Sequence, residues 1–547
     1  MIMKKNFLNI PGPVFTLLFF VMPVLSLPAW SQTGKSILPK IETSNGRHTL
    51  LVDGKPYFIF GGQAHNSSAW PAMMPKVWAA IDSMHANTLE VPLYWEQIEP
   101  EQGKFDFSMV DILLNQAREH EVRLVFLWFA TWKNGSNHYI PGWMKMDPEK
   151  YPNLMNNEGR RVDSPSPHSE AAMEADTKAY VKLMEHLKAS DPQHTVIMMQ
   201  IENEPGSWYS VRDYSPEARK IFNSQVPQEL LKPGVLKSLN KAVKAKGSWT
   251  DVFGNDADEY FEAWFVARYI ENIAKAGKAV YPLPYYVNAA LRIPFGNPPA
   301  GTYESGGPTD NVIPLWKAAA PDIDLLAPDI YLSGTDTVME VLKKYNLPDN
   351  PLFVPEIAFH ENYLKYLYAV LAGGGIGFSP FGIDDNSIGE YKEENFTRIA
   401  PFAREYSVLS PMMRELAEWS YDGKIKAVIE REDHKPQTID LGNWQAMVGF
   451  GTGRGPRPRT NLQPLGRMLI VQLNPNEFLV TGTRSRITFK PAGRNAGKEW
   501  QFMKVEEGYY KDGSFTTQRI LNGDETDWGG PVIGIDPVVL WISISTR

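Results

Sequence analysis

The chain has 547 residues, more than one ordinary core holds, so two domains are expected. Apolar residues make up 43% and charged residues 22%, a globular balance that excludes wholesale disorder. A net charge of −8 and a pI near 5.8 argue against nucleic acid as a partner, because phosphate binding needs a basic face.

At the N-terminus, Lys4 and Lys5 precede the apolar stretch VFTLLFFVMPVLSL (residues 14–27), and Ala29-Trp30-Ser31 offers a cleavage site before Gln32. A spanning helix wants about 20 apolar residues, and this stretch is shorter and interrupted by Pro23. Residues 1–31 are therefore read as a signal peptide. The mature protein is expected to be exported, to a bacterial periplasm or beyond, with no membrane attachment after cleavage. Cysteine is absent, which excludes disulfides, thiolate metal sites, a Cys nucleophile and thioether lipidation together.

Short strand-like runs then alternate with helical stretches. YFIFGG (57–62) is followed by PKVWAAIDSMHA (75–86), whose Val77, Ala80, Ile81 and Met84 fall at helical spacing. NTLEVPLYW (87–95), a helix over 109–121 and RLVFLWFA (123–130) come next. A helix near 174–189 leads into HTVIMMQIENE (194–204). Later strands are PYYVNAA (284–290), DLLAPDIYL (324–332), LFVPEIAF (352–359) and GGIGFSPFGI (374–383). Eight strands separated by helix-bearing segments imply a parallel sheet with helices outside it, and the length suits a (β/α)8 TIM barrel with insertions. An open doubly wound sheet is disfavoured, since no GxGxxG follows the first strand.

After about residue 425 the texture changes to short β-branched runs, such as MLIVQLN, EFLVTGTRSRITFK and VVLWISIS, split by turn formers. Residues 32–425 are thus expected to form the barrel and residues 426–547 an all-β sandwich, for which bracing the barrel is the favoured role. The basic, Gly- and Pro-rich run GTGRGPRPRTN (451–461) is read as solvated surface.

A barrel of this kind works at the C-terminal ends of its strands. There the chain places Gln63, Tyr94, Trp128 with Lys133 and Asn134, Asn203-Glu204, Asn288, Tyr331 and Glu356. Two acids, several amides and aromatic rings suit a sugar: amides and acids bind hydroxyls, and rings cover the C–H face. The candidate sugar contacts are Asn203, Tyr94, Trp128, Lys133, Asn134, Asn288 and Tyr331. Glycosidic cleavage needs two carboxyl groups, one protonated and one ionised. Side-chain alternation puts Glu202 on Glu204's side of its strand but deeper, as a buried supporting acid. No HExxH motif, no cysteine and ten scattered His give no case for a metal or a cofactor. No oligomeric state is read from the sequence.

IENEP at the end of a fourth strand, with a Glu ending the seventh, resembles the clan of retaining (β/α)8 glycosidases with catalytic Glu residues on those strands. More closely, YWEQIEPEQGKFDFS (94–108) resembles β-galactosidases of glycoside hydrolase families 35 and 42. QIENEPGSW is similar to family 35's strand-four segment, and the SGGP of GTYESGGP (301–308) also resembles the family. The resemblance implies Glu204 as acid/base, Asn203 as the ligand of the sugar 2-hydroxyl and Glu356 as nucleophile. The segment WFATWKNGSNHYIPGW departs from the family's longer, Glu-containing one after strand three, so the sugar contacts are expected to be rebuilt there. The expected function is a retaining exo-β-galactosidase acting on plant-type oligo- or polysaccharide side chains. The alternatives are a retaining glycosidase of other specificity (β-glucosidase or α-L-arabinosidase) and a non-catalytic carbohydrate-binding protein.

Overall fold

The computed structural model of the protein describes residues 37–384, 392–453 and 459–547, and the side chains of 392–397 are not among them. The expected signal peptide and the middle of the basic loop lie outside the described residues. A small antiparallel sheet (Lys40–Ser44, Arg47–Val52, Lys55–Tyr57) leads into the barrel.

Eight parallel strands close on themselves: Ile59–Gln63, Thr88–Tyr94, Arg123–Lys133, Val196–Asn203, Tyr285–Ala290, Leu325–Ile330, Phe353–Ile357 and Gly377–Pro380. These are the eight runs read from the sequence. Closure is made by the eighth strand on the first, with Gly377 opposite Ile59 and Phe378 opposite Phe60. A parallel strand covered by helices outside and filled by side chains inside is buried on both faces. That is why these runs read as near-continuous apolar stretches, and every residue of Val196–Asn203 is buried.

The helices obey the same local rules. Met74–Met84 has Pro75 at its first turn and ends at His85 in the left-handed region (φ 57°). Glu170–Ser190 is capped by Ser169, whose side chain accepts the Ala172 N–H. The 24-residue helix Ala257–Val280 buries most of its residues, Glu259, Glu262 and Glu271 included.

Beyond the barrel, six antiparallel strands (Ile425–Ile429, Arg467–Asn474, Glu477–Thr483, Val538–Thr546, Trp500–Lys511, Ser514–Leu521) face a four-stranded sheet. The two share a core that includes Trp444, Val448, Ile470, Val480, Ile487 and Leu540. Alternate residues of the larger sheet point the other way: Leu469, Val471, Leu479 and Val539 belong to the barrel's own apolar cluster. Each such buried aliphatic side chain is worth about 1.5–3 kcal/mol. The sheet therefore has no free apolar face at these positions.

Candidate active site

Period-two alternation fails where the fourth strand ends, because Glu202 has φ 59° and Glu204 φ 43°. L-residues seldom adopt this region, and such strain collects at functional sites. One consequence is that the two acids part. Glu202 accepts the Trp132 backbone N–H at 2.7 Å and sits beside Asp176 of the helix Glu170–Ser190. Burial, then Asp176, pushes its carboxyl well above the usual range. The expectation that Glu202 shares Glu204's side is corrected, and the left-handed backbone is the reason.

Glu204 meets two other strand ends. Its carboxylate oxygens lie within 4.8 Å of those of Asp329, which ends the sixth strand, and of Glu356 on the seventh. All three side chains are buried. Asn288, on the fifth strand, ties two of them together. Its Oδ1 accepts the Glu204 backbone N–H at 2.9 Å and its Nδ2 donates to Asp329 at 2.6 Å. From the third strand's end, Asn134 donates to the Glu204 carboxylate, while its own Oδ1 accepts from Lys133 Nζ. The turn is pinned to the fourth strand by backbone bonds from Asn134 N to Asn203 O and Gly135 N to Glu204 O, at 3.1 and 3.0 Å. Glu356 receives one donor on each oxygen, Gln63 Nε2 at 3.1 Å and the Tyr331 hydroxyl, and these fix its orientation.

Burial, reinforced by Glu356, raises the Glu204 carboxyl to about 7, with the Lys133 ammonium opposing. Asp329 is pushed well above the usual carboxylate range by burial, then by Glu356 and Glu204. Three carboxyls this close cannot all ionise together. Among the described residues this is also the group with oxygens near enough to hold an ion.

Of the residues singled out in the sequence, Glu204, Glu356, Lys133, Asn134, Asn288 and Tyr331 are thus linked at the barrel mouth. Asn203, next to Glu204 in the chain, is buried, and neither atom of its amide has a hydrogen-bond partner. Two others stand elsewhere. Trp128 is a correction: it is fully buried, donates to Asp176 at 2.8 Å and packs on Trp95 and Tyr180. It therefore points into the helix layer and not at a sugar. Tyr94 is buried as well, accepting the Ala69 N–H and stacking on Tyr139, so its ring supports the neighbouring loops. Asp329 was missed as a site residue, and Gln63, named as a strand end, was not counted among the sugar contacts. The signal for Asp329 was its place two residues before Tyr331, on the same strand end.

Residues 49–272 match the family Glycosyl hydrolases family 35, and residues 402–532 match a domain of unknown function, DUF5597. A β-galactosidase of Xanthomonas manihotis is 27% identical over 205 residues, 36% of this chain and 31% of its own. Beta-galactosidase 14 of Arabidopsis thaliana is 26% identical over 110 residues, 19% of this chain and 12% of its own. The chain thus spans less than a third of the length of these relatives. A β-galactosidase structure from Bacillus circulans sp. alkalophilus has a TM-score of 0.48 at 15% identity, covering 66% of this chain and 57% of that one.

Proposed function

We propose that this chain, whose residues 49–272 match glycosyl hydrolases family 35, is a retaining exo-β-galactosidase. The carrying observation is the approach of Glu204 and Glu356, with one carboxylate oxygen of each within 4.8 Å of the other. Inverting enzymes separate their carboxyls by about 6.5–9.5 Å to admit a water, and retaining ones by about 5–5.5 Å. The short spacing favours direct attack.

In this reading Glu356, oriented by Gln63 and Tyr331, attacks the anomeric carbon and forms an ester as the glycosidic C–O bond breaks. Glu204 gives its proton to the departing oxygen. An acid raised to about 7 suits that task near neutral pH. Esterification removes the charge of Glu356, one cause of the elevation, so Glu204 becomes the base that takes a proton from the incoming water. Asn203, with its free buried amide, serves the 2-hydroxyl. Galactose as the sugar, plant-type side chains as the substrate and export as the destination rest on the resemblance and the N-terminal segment.

The test is hydrolysis of a panel of aryl glycosides, with the first-formed anomer read by NMR. The expected results are preference for β-galactoside, release of β-galactose, and kcat/KM that falls as pH rises through about 7, where Glu204 loses its proton. First release of the α-anomer contradicts retention, and preference for another glycoside replaces the sugar.

A further inference from the structure

Glu304 lies in the GTYESGGP segment after the fifth strand, and the mechanism above gives it no work. It is 1% exposed, and neither carboxyl oxygen has a hydrogen-bond partner. Leaving a buried carboxyl unpaired is costly. Yet the chain is shaped to keep it there. Ser305 and Ser207 exchange backbone hydrogen bonds at 2.9 and 3.0 Å, which fastens the segment to the residues just after Glu204. Gly206 (φ 145°) admits the approach, because a Cβ there would stand 2.6 Å from the Ser305 carbonyl and 3.1 Å from Glu304 Cγ. At Gly135 a Cβ would overlap Glu304 Oε1 and lie 3.3 Å from the Trp208 ring.

Glu304, Gly135 and Trp208 therefore meet on one side of the site, and its identity follows from their neighbours. Glu304 feels Glu204, Lys133 and the Trp208 indole. Glu356 is held from elsewhere, by Gln63 and Tyr331. The Glu304 side is thus that of the acid/base, where the departing oxygen and the group attached to it must lie. Trp208 is 49% exposed there and offers a flat apolar face.

We infer that Trp208 and Glu304 form the subsite for a leaving-group sugar, the ring resting on the Trp208 indole and one hydroxyl bonding the Glu304 carboxyl. The inference rests on the glycosidase reading. Burial and Glu204 keep a proton on Glu304, so its carboxyl both donates to and accepts from a hydroxyl. Its oxygens are buried beside Trp208, and an exposed indole can change rotamer as a sugar docks. The natural leaving group is accordingly a sugar residue, not a small alcohol.

The same subsite receives acceptors after the first step, which permits a test in the full chain. The enzyme is trapped with 2-deoxy-2-fluoro-β-galactosyl fluoride, and its reactivation is followed in buffer and with glucose or xylose. The reading expects saturable acceleration by at least one of these sugars. It expects Trp208→Ala and Glu304→Gln each to reduce the ratio of acceptor-driven to water-driven reactivation by about tenfold. Only trapped, hence folded, molecules are counted. Deoxygenated acceptors on the wild type probe the Glu304 bond without any variant, and removal of one particular hydroxyl abolishes the acceleration. Equal ratios in wild type and variants overturn the subsite, as does a wild type that no sugar accelerates. An enzyme that hydrolyses β-galactosides but is never trapped contradicts the covalent mechanism itself, a failure distinct from either.

Discussion

At the scale of single residues, the site is a set of polar groups from several strand ends, most of them bonded to one another. Asn288 holds the Glu204 backbone and the Asp329 carboxyl at once, and Asn134 reaches the Glu204 carboxylate from the third strand. Trp128 shows how narrow the margin is between site and scaffold. It lies on the third strand, five residues before Lys133 at the site, and its indole spans Asp176, Trp95 and Tyr180. Trp128→Ala is expected to cost about 3–5 kcal/mol of stability by opening a cavity, with KM unchanged in the folded fraction. Denaturant unfolding alongside kinetics measures both. A raised KM at full stability returns Trp128 to the sugar site.

The elements explain what sequence reading reached and where it stopped. Eight strands were legible because a parallel barrel strand is buried on both faces and so writes itself as an uninterrupted apolar run. Glu204 and Glu356 were legible because a carboxyl at the end of such a run breaks the pattern. Asp329 was hidden behind Tyr331, as Pro328 and Ile330 around it read as ordinary strand. The direction of Trp128 was hidden for another reason: a run buried on both faces carries no period to say which residues point inward. Glu202 misled because alternation presumes an extended backbone, and φ turns positive there. The same strand end depends on Gly206. Gly206→Ala is expected to push the Ser305 segment away and cut kcat/KM at least about tenfold, since a Cβ at 2.6 Å from a carbonyl oxygen must displace backbone. Wild-type kinetics in this variant remove the strand-end packing from the account.

Across the whole molecule, the barrel and the sandwich are packed as one body by the larger sheet. Arg467, on that sheet, pairs with Glu405 of the helix Lys392–Leu409, and both side chains are buried. Tyr368 donates to the same carboxylate at 2.6 Å. Lys365 adds bonds to the Glu430 and Pro464 carbonyls at 3.1 and 3.2 Å. Removing one partner of a buried pair leaves an uncompensated charge, worth about 3–5 kcal/mol. Glu405→Ala is therefore expected to lower the unfolding free energy by that order and to lower barrel and sandwich together in one thermal transition. Loss of the sandwich alone, with the barrel's transition in place, separates the two. The sandwich thus packs directly against the helices that surround the barrel.

The central claim is that Glu204 and Glu356 divide the work of one retaining site. The most direct measurement is hydrolysis of the aryl galactoside by wild type, Glu204→Ala and Glu356→Gly with azide added. The expected products are β-galactosyl azide from Glu204→Ala, where azide replaces the base-activated water, and α-galactosyl azide from Glu356→Gly, where it replaces the nucleophile. Two variants that retain full activity, or azide products of the opposite anomers, contradict the assignment.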